Sequence, residues 1–283
     1  MKFEARADGT VMGYFADVAH ALRSAGVQKV LLSGTEGGVG LLASSALTNG
    51  DHQVFVRIKK SFFSLYKIES NRDKNRINME VSVSNICAGM KHARNQSLRK
   101  TEWRLVKDIE TNAPVLKLSF FINKDDESDA VVRVPVLLDS SGESHLQYEE
   151  PNLPPPIERV CCPNYEMLKN SLDRMRTVSD RVLVEFDTEV GELKLEAKGE
   201  LVQLGVKFTN LKVEGSARSN EDDEECCFAT VHTVDLQRLA QCFAAFDTTI
   251  SRIVLVEDMC VTGIARNEWF MLTFYVPLLA CDD

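Results

Sequence analysis

The side chains best suited to catalysis or metal binding are spread through the 283 residues of this chain without any spacing typical of an enzyme. No two of the eight cysteines stand at the two-residue interval of a zinc knuckle or a redox motif. The five histidines also lack metal-ligand spacing; they are His20, His52, His92, His145 and His232. The glycine-rich residues 34–40 lack the Gly-Lys-Ser/Thr ending of a phosphate-binding loop, so we predict a hairpin turn there.

Carboxylates are concentrated in one loop, residues 214–225, which contains the run NEDDEE. A two-metal nuclease needs carboxylates that converge on its metal ions, whereas this run is most simply a solvated or disordered insertion. We therefore predict a protein that is not an enzyme and that needs no metal or other cofactor. A metal-dependent nuclease is kept as an alternative.

The remaining candidate chemistry is the attraction of phosphate groups by basic side chains. The formal net charge of -9 argues against a uniformly basic nucleic-acid-binding protein, but the predicted helices carry lysines and arginines on their outward faces. These residues are Arg23, Lys91, Arg94, Lys169, Arg174, Arg176 and Arg238. Each one alone could be an ordinary solvated residue, and Asp17, Glu166 and Asp173 lie on the same helices. Their common placement nevertheless predicts one basic surface and an acidic exterior.

The elements that position these residues follow a repeated order. Residues 163–180 place apolar side chains at helical spacing, with Lys169 and Arg176 on the opposite face. Residues 181–208 then alternate apolar and polar side chains in three strands linked by tight turns. A unit of one strand, one helix and three strands is found twice in each half of the chain. We therefore predict an α+β fold made of two domains.

The other three helices are predicted from apolar stripes and capping residues. The first carries an inward stripe from Val11 to Leu22 and is closed by Gly26. The second spans Asn85–Gln96 behind Ser84 as its N-cap, and the third spans Asp235–Phe243 with Asp235 as its cap. The residues that follow the strand Gln53–Ile58 are interpreted as a polar linker.

A polar, proline-rich stretch marks the boundary between the two predicted domains. We place the first domain at residues 1–137, an interdomain connecting loop at 138–156 and the second domain at 157–283. The start of the chain lacks the apolar core of a signal peptide, and the longest apolar run, Trp269–Ala280, is too short to span a bilayer. We expect an intracellular protein with reduced cysteines and no membrane partner.

Seven sequence segments, taken in order, resemble one known family. They are MKF at the start, FF at 62–63, MKHA at 90–93, EPNLPPP, RMRTVSDRVLVEF, GELKLEAKGELV and FYVPLL near the end. Together with the duplicated topology they resemble the Hus-type subunit of the heterotrimeric nine-one-one checkpoint clamp, a DNA sliding clamp. The resemblance covers nearly the whole chain.

This resemblance implies a ring with helices inside and antiparallel sheets outside. It implies two other clamp subunits as partners, double-stranded DNA bound without sequence specificity, an ATP-dependent clamp loader, and repair and checkpoint client proteins. The implied location is the nucleus, and the resemblance also allows a cytoplasmic pool. The alternatives are a homotrimeric replication clamp of the same fold, the nuclease, and an interaction scaffold that never contacts DNA.

The resemblance also implies two further sets of site residues. A client-peptide pocket beneath the connecting loop is expected around Ala46, Leu47, Leu137, Tyr275, Val276 and Pro277. Subunit-interface edges are expected in the strands that contain Val115, Leu116, Leu118 and Phe120 in the first domain and Val202, Leu204, Val206 and Phe208 in the second. Sequence periodicity also fits two alternatives. The strands assigned to subunit interfaces could be internal strands of a monomer, and the carboxy-terminal strand assigned to the pocket could be part of the core.

Overall fold

The computed structural model describes most of the chain. The described ranges are residues 1–44, 52–71, 75–91, 98–122, 128–139, 150–154, 158–161, 163–187, 189–213, 227–244, 250–256 and 259–279. Within them the chain forms four α-helices, seventeen strands and a short 3-10 helix at Lys60–Phe62. None of the helices in these ranges combines the length and apolar character needed to cross a membrane.

Each half of the chain contributes two helices. The first half consists of β1 (Lys2–Asp8), α1 (Gly9–Ser24), β2 (Lys29–Thr35), β3 (Gly38–Ala43), β4 (Gln53–Lys59), β5 (Leu65–Glu69), β6 (Ile77–Ser82), α2 (Val83–Gly89), β7 (Lys100–Lys107), β8 (Pro114–Phe121) and β9 (Ala130–Leu138). The second half consists of β10 (Glu158–Cys161), α3 (Tyr165–Met175), β11 (Arg181–Asp187), β12 (Glu192–Lys198), β13 (Gln203–Phe208), β14 (Cys227–His232), α4 (Thr233–Ala244), β15 (Ile250–Val256), β16 (Cys260–Arg266) and β17 (Phe270–Pro277).

The strands form two antiparallel sheets. The larger has thirteen strands in the order β10-β15-β16-β17-β4-β3-β2-β6-β9-β8-β7-β1-β5, and the smaller has the order β13-β12-β11-β14. The two halves of the chain meet in the larger sheet, where β17 pairs with β4 from Phe270 opposite Ile58 to Tyr275 opposite Gln53. This ladder makes the two halves share one continuous sheet.

Alternation along the strands separates the core from the solvent. On β11, Val182, Val184 and Phe186 are buried, while Leu183 and Glu185 between them are partly exposed. The buried side chains pack beneath the helices, as the period of two in the sequence predicts.

The four helices lie in a row in the order α2, α1, α4, α3, because α1 packs against α2 and α4, and α4 packs against α3. Helix α3 buries Leu168, Leu172 and Met175 as predicted, and the side chain of Asn164 caps it by accepting from the backbone N–H groups of Glu166 at 2.9 Å and Met167 at 3.3 Å. The row therefore covers one face of the sheets.

Two predicted helix starts are wrong. Helix α2 begins at Val83 with Ser82 in the cap position, before the predicted Ser84, and ends at Gly89; the rest of the predicted helix, from residue 92 on, lies outside the described residues. Helix α4 begins at Thr233, so Asp235 is its third residue and not its cap. Asp235 does not cap the helix because tertiary contacts use its side chain: it is buried and hydrogen-bonded to His52.

One strand is missing from the sequence prediction. Strand β5 lies in the stretch interpreted as a polar linker, and it pairs with β1 from Leu65 opposite Arg6 to Glu69 opposite Lys2. Its residues are partly exposed or exposed, so the apolar alternation that marks a half-buried strand is weak. It forms one edge of the large sheet.

Candidate functional site

The row of helices collects the predicted basic residues on one layer. Lys91 follows α2, Arg23 lies in the last turn of α1, Arg238 lies on α4, and Lys169 and Arg174 lie on α3, which Arg176 caps. Arg23, Lys91, Arg174 and Arg176 are exposed, and Lys169 and Arg238 are partly exposed. Arg94 lies outside the described residues.

The seam between α3 and α4 orients one of these guanidinium groups. Nη1 of Arg176 donates to Oε1 of Gln237 at 3.2 Å, and Nε2 of Gln237 donates to the carboxylate of Asp173. Asp173 is exposed on the same layer and lowers the positive potential there. Arg176 is thus positioned by a neighbouring helix while its side chain remains open to solvent.

Arg238 is less exposed, and makes more contacts within the chain, than a residue on the outward face of a helix is expected to make. Its Nη1 donates to Oδ1 of Asp235 at 3.2 Å, and its guanidinium packs over Gly26, which has a φ of 78° and ends α1 as predicted. Only 19% of its side-chain area is exposed. Arg238 therefore links α4 to the end of α1 as well as facing the helix layer.

Asp235 also binds His52, which is fully buried at the start of β4. Nδ1 of His52 lies 3.0 Å from Oδ1 of Asp235, and Nε2 lies 3.0 Å from the carbonyl oxygen of Ala25. Burial raises the pKa of Asp235, but the hydrogen bond from His52 and the charges of His52 and Arg238 outweigh burial and hold the pKa below its usual value. His52 thereby connects the carboxylate of Asp235 on α4 to the backbone carbonyl that follows α1.

The positive charge on this layer can attract phosphates. Exposed arginines and lysines on helices contact phosphate oxygens through charge, which gives affinity without base specificity. Among the residues that the structure describes, no three histidine, cysteine, aspartate or glutamate side chains come together to hold a metal ion.

The predicted pocket residues do not all face one pocket. Leu137 on β9 is 67% exposed, whereas Tyr275 and Val276 are buried on opposite faces of β17, because consecutive strand residues point to opposite sides. Val276 belongs to the main core, and Pro277 is partly exposed. Ala46 and Leu47 lie outside the described residues. Val276 is therefore removed from the predicted pocket.

Residues 150–154 of the connecting segment lie over the outer face of the large sheet at Tyr275. The Tyr275 hydroxyl donates to Oε1 of Glu150 at 2.8 Å, and Glu150 also pairs with Arg57 of β4. Leu153 packs on the outer apolar cluster that contains Tyr275 and Phe55. Burial, then the hydrogen bond to Glu150 and its charge, raise the pKa of the Tyr275 phenol above its usual value. Sequence reasoning missed Glu150 and Arg57, because no local pattern predicts a contact across 93 residues.

The predicted first-domain edge is wrong. Strand β8 pairs with β7 on one side and β9 on the other, and Val115, Leu116, Leu118 and Phe120 are all buried. A strand with two neighbours has no free backbone donors for another chain.

The open strand is β9. Its residues Ala130–Pro135 pair with β8, and its ladder with β6 contains only Val136–Leu138, so within the described residues one side of 130–135 has no partner strand. Pro135 was the available sequence signal, because proline within a strand is confined to sheet edges. Strand β13 holds Leu204, Val206 and Phe208, and Val202 lies just before it. In the described part of the chain β13 pairs with β12 alone, and it forms an edge of the smaller sheet.

The internal repeat relates the two unpaired strand edges, on β9 and β13, to two strands that pair with each other in this structure. Strand β9 ends the first half as β17 ends the second, and β13 follows α3 as β4 follows α1. In the described sheets β17 and β4 pair with each other, whereas β9 and β13 each present the corresponding edge unpaired. The unpaired edges of β9 and β13 therefore correspond to the edges through which β17 and β4 form an antiparallel ladder.

Duplicated units with a row of helices on one face of antiparallel sheets define the fold of a DNA sliding clamp subunit. The crystal structure of the proliferating cellular nuclear antigen from Entamoeba histolytica has this fold, with a TM-score of 0.72 and 12% sequence identity over 98% of this chain and 99% of that chain. The predicted clamp fold is thereby confirmed.

In sequence, the Hus1-like protein family matches residues 1–280, and the chain belongs to that family. A checkpoint protein hus1 homolog of Dictyostelium discoideum is 23% identical over 244 residues, which are 82% of this chain and 83% of that protein. The checkpoint protein hus1 of Schizosaccharomyces pombe is 26% identical over 154 residues, which are 54% of this chain and 52% of that relative. The resemblance predicted from the seven sequence segments is confirmed.

Proposed function

We propose that this chain is the Hus1-type, noncatalytic subunit of a heterotrimeric nine-one-one ring that encircles DNA in the damage checkpoint. The observation that carries the proposal is the pair of complementary open edges, β9 and β13, on a chain whose helices form one layer. Membership in the Hus1-like family supports the checkpoint role. Residues 1–137 and 157–283 are the two clamp domains of the subunit, joined by 138–156.

Assembly follows from the internal β4–β17 ladder. A neighbouring subunit adds a strand to β9 and another neighbour adds a strand to β13, so that backbone groups on both edges gain partners. Because the two edges differ, each neighbour contacts a different surface, as in head-to-tail rings. An isolated subunit cannot encircle a duplex, and ring formation is therefore the functional step.

DNA retention would be topological. With the helices inside the ring, Arg23, Lys91, Arg174 and Arg176 face the duplex and contribute weak phosphate contacts, with Lys169 and Arg238 at the same layer. Arg94, which lies outside the described residues, is included in this set from the sequence alone. Such contacts are independent of sequence and do not block sliding. An ATP-dependent loader opens the ring on DNA, and repair and checkpoint clients in the nucleus dock on its outer surface.

Co-expression tests the proposal. The full chain is purified alone and together with the two other clamp subunits of its own organism, and molar masses are measured by light scattering after gel filtration. We expect a monomer from the single chain and a complex with one copy of each subunit from the co-expression. A stable homotrimer of this chain alone would indicate a replication-type clamp and overturn the heterotrimer.

A further inference from the structure

A groove lies on the sheet face opposite the helices. It has a volume of about 430 Å³ and crosses β2, β3 and β4, and its lining includes Gly38, Gly40, Arg57, Lys59 and Arg76. Val39, Leu41 and Val56 belong to the core beneath the helices, so by alternation Gly40 and Arg57 face away from the helix layer. The groove contains neither Leu137 nor any of the predicted pocket residues on β17.

The floor of the groove is bare backbone. Gly38 has a φ of 141°, and a Cβ there would meet the carbonyl oxygen of Ile58 at 2.1 Å, so only glycine fits. At Gly40 a Cβ would meet only ordinary contacts, the nearest being 3.5 Å to Leu42. A ligand can therefore approach the main chain of β3 closely.

The walls carry three cations and one carboxylate. Arg57 and Lys59 are exposed, and Arg76 is partly exposed. Nε of Arg76 is buried, and it has no hydrogen-bond partner among the residues that the structure describes. A buried donor without a partner is uncommon and costs stability. This donor belongs to a side chain that lines the groove. Among the described lining residues, Glu150 supplies the only carboxylate, and it pairs with Arg57, so one cation of the groove already contacts an anionic oxygen.

We propose that this groove binds a peptide segment that carries a phosphoserine or phosphothreonine. A phosphate offers three acceptor oxygens and close to two negative charges. Lys59, Arg76 and Arg57 supply positive charge and hydrogen-bond donors for these oxygens, and the guanidinium of Arg57 also pairs with Glu150. The glycine floor admits an extended peptide backbone beside the phosphate. Duplex DNA is disfavoured as the ligand, because the groove and the helix layer lie on opposite faces of the sheet.

This site extends the outer docking role of the proposed ring but does not depend on ring assembly. Peptide binding can be measured on the single full-length chain. A failure to form the heterotrimer is therefore distinguishable from a failure of the groove to bind the peptide.

The test uses fluorescence anisotropy with a labelled degenerate peptide library that has a fixed central phosphoserine. Matching libraries carry serine or glutamate at the centre. The wild-type chain is compared with a Lys59→Gln/Arg76→Gln variant, with Gly40→Glu, which places a carboxylate on the floor, and with Glu150→Gln. The matched control is Lys67→Gln/Lys107→Gln, which removes the same charge from two exposed positions outside the groove. Melting curves show whether each variant is folded.

We expect the phosphoserine library to bind the wild type and the control alike. The groove double variant should lose about tenfold or more in affinity, because charge-assisted hydrogen bonds are lost. Gly40→Glu should abolish binding, and Glu150→Gln should tighten it, since a competing carboxylate is removed. Equal binding of the phosphoserine and serine or glutamate libraries, or an unchanged affinity in the folded groove variants, would overturn the proposal. It would also be wrong if the groove variants lost affinity for duplex DNA while peptide binding stayed constant.

Discussion

Nδ1 of His52 and Oδ1 of Asp235 lie 3.0 Å apart although 183 positions separate the two residues in the chain. The pair joins the start of β4 in the first half to α4 in the second, and Nε2 of His52 extends it to the carbonyl of Ala25 after α1. The imidazole also stacks on Phe274 of β17, with ring centroids 5.0 Å apart. One buried histidine, placed just before β4, therefore contacts α4, β17 and the residue that follows α1.

Replacement of Asp235 by Asn should destabilise the fold by about 1 to 3 kcal/mol near neutral pH, because it removes the buried carboxylate oxygen that accepts from His52 and Arg238. The folded-state pKa of Asp235 lies below the unfolded value of about 3.9. Its stabilising effect is therefore complete above about pH 4 and is lost as the pH falls through the folded pKa.

Urea denaturation of wild type and variant at a series of pH values checks this. The control is Asp180→Asn at an exposed position, which should change stability by less than about 0.5 kcal/mol. A difference between Asp235→Asn and wild type that stays constant from neutral pH down through the acid range would contradict the assignment.

Charge reversal of Arg23, Lys91, Arg174 and Arg176 to Glu should weaken DNA retention equally for all sequences. The dependence of affinity on salt should fall by about one unit of slope per lost phosphate contact. The measurement is binding to duplexes of different sequence across a salt series, with the chain assembled with its partners. Reversal of four exposed cations on strands, Lys2, Lys67, Lys107 and Lys198, serves as the control and should leave the slope unchanged.

Proline at Lys207 should release one neighbouring subunit. The N–H of Gly199 donates to the carbonyl of Val202 at 2.9 Å, and hydrogen-bonded pairs alternate along an antiparallel ladder. The register then assigns the N–H of Val206 to β12 and the N–H of Lys207 to the open edge. Lys207→Pro removes a donor that only a partner chain uses.

Val206→Pro is the matched variant one residue away, and it should damage the subunit itself by breaking the ladder to β12. Melting curves and pull-down of each partner separate the two effects. If the folded Lys207→Pro chain retained both partners at wild-type levels, β13 would not be an interface strand.

Tyr275→Phe should loosen the connecting segment without unfolding the subunit. The variant deletes the hydroxyl that donates to Glu150 and keeps the ring in the outer apolar cluster. We expect a loss of about 1 kcal/mol or less, together with faster hydrogen exchange in residues 150–154. Tyr66→Phe is a useful comparison, because its hydroxyl donates to the Gly38 carbonyl far along the chain from that segment. Unchanged exchange in 150–154 would show that the Glu150 contact does not hold the segment.

Local patterns were sufficient for much of the fold. The alternation in 181–208 predicted β11, β12 and β13, and the helical spacing of Leu168, Leu172 and Met175 predicted the buried face of α3. These predictions succeeded because strand and helix periods act over neighbouring residues and burial follows directly from them.

The sequence by itself determined the duplicated order of elements, the end of α1 near Gly26 and the family. Only the tertiary structure decided which strands have a free side, because pairing depends on neighbours far along the chain. In the tertiary structure β8 is an internal strand, whereas β9 has an unpaired side among the described residues. Asp235 lies inside α4 and pairs with the buried His52 instead of capping the helix. The tertiary structure also placed Arg57, Lys59 and Arg76 around one groove, since strands distant in sequence become adjacent only when the sheet forms.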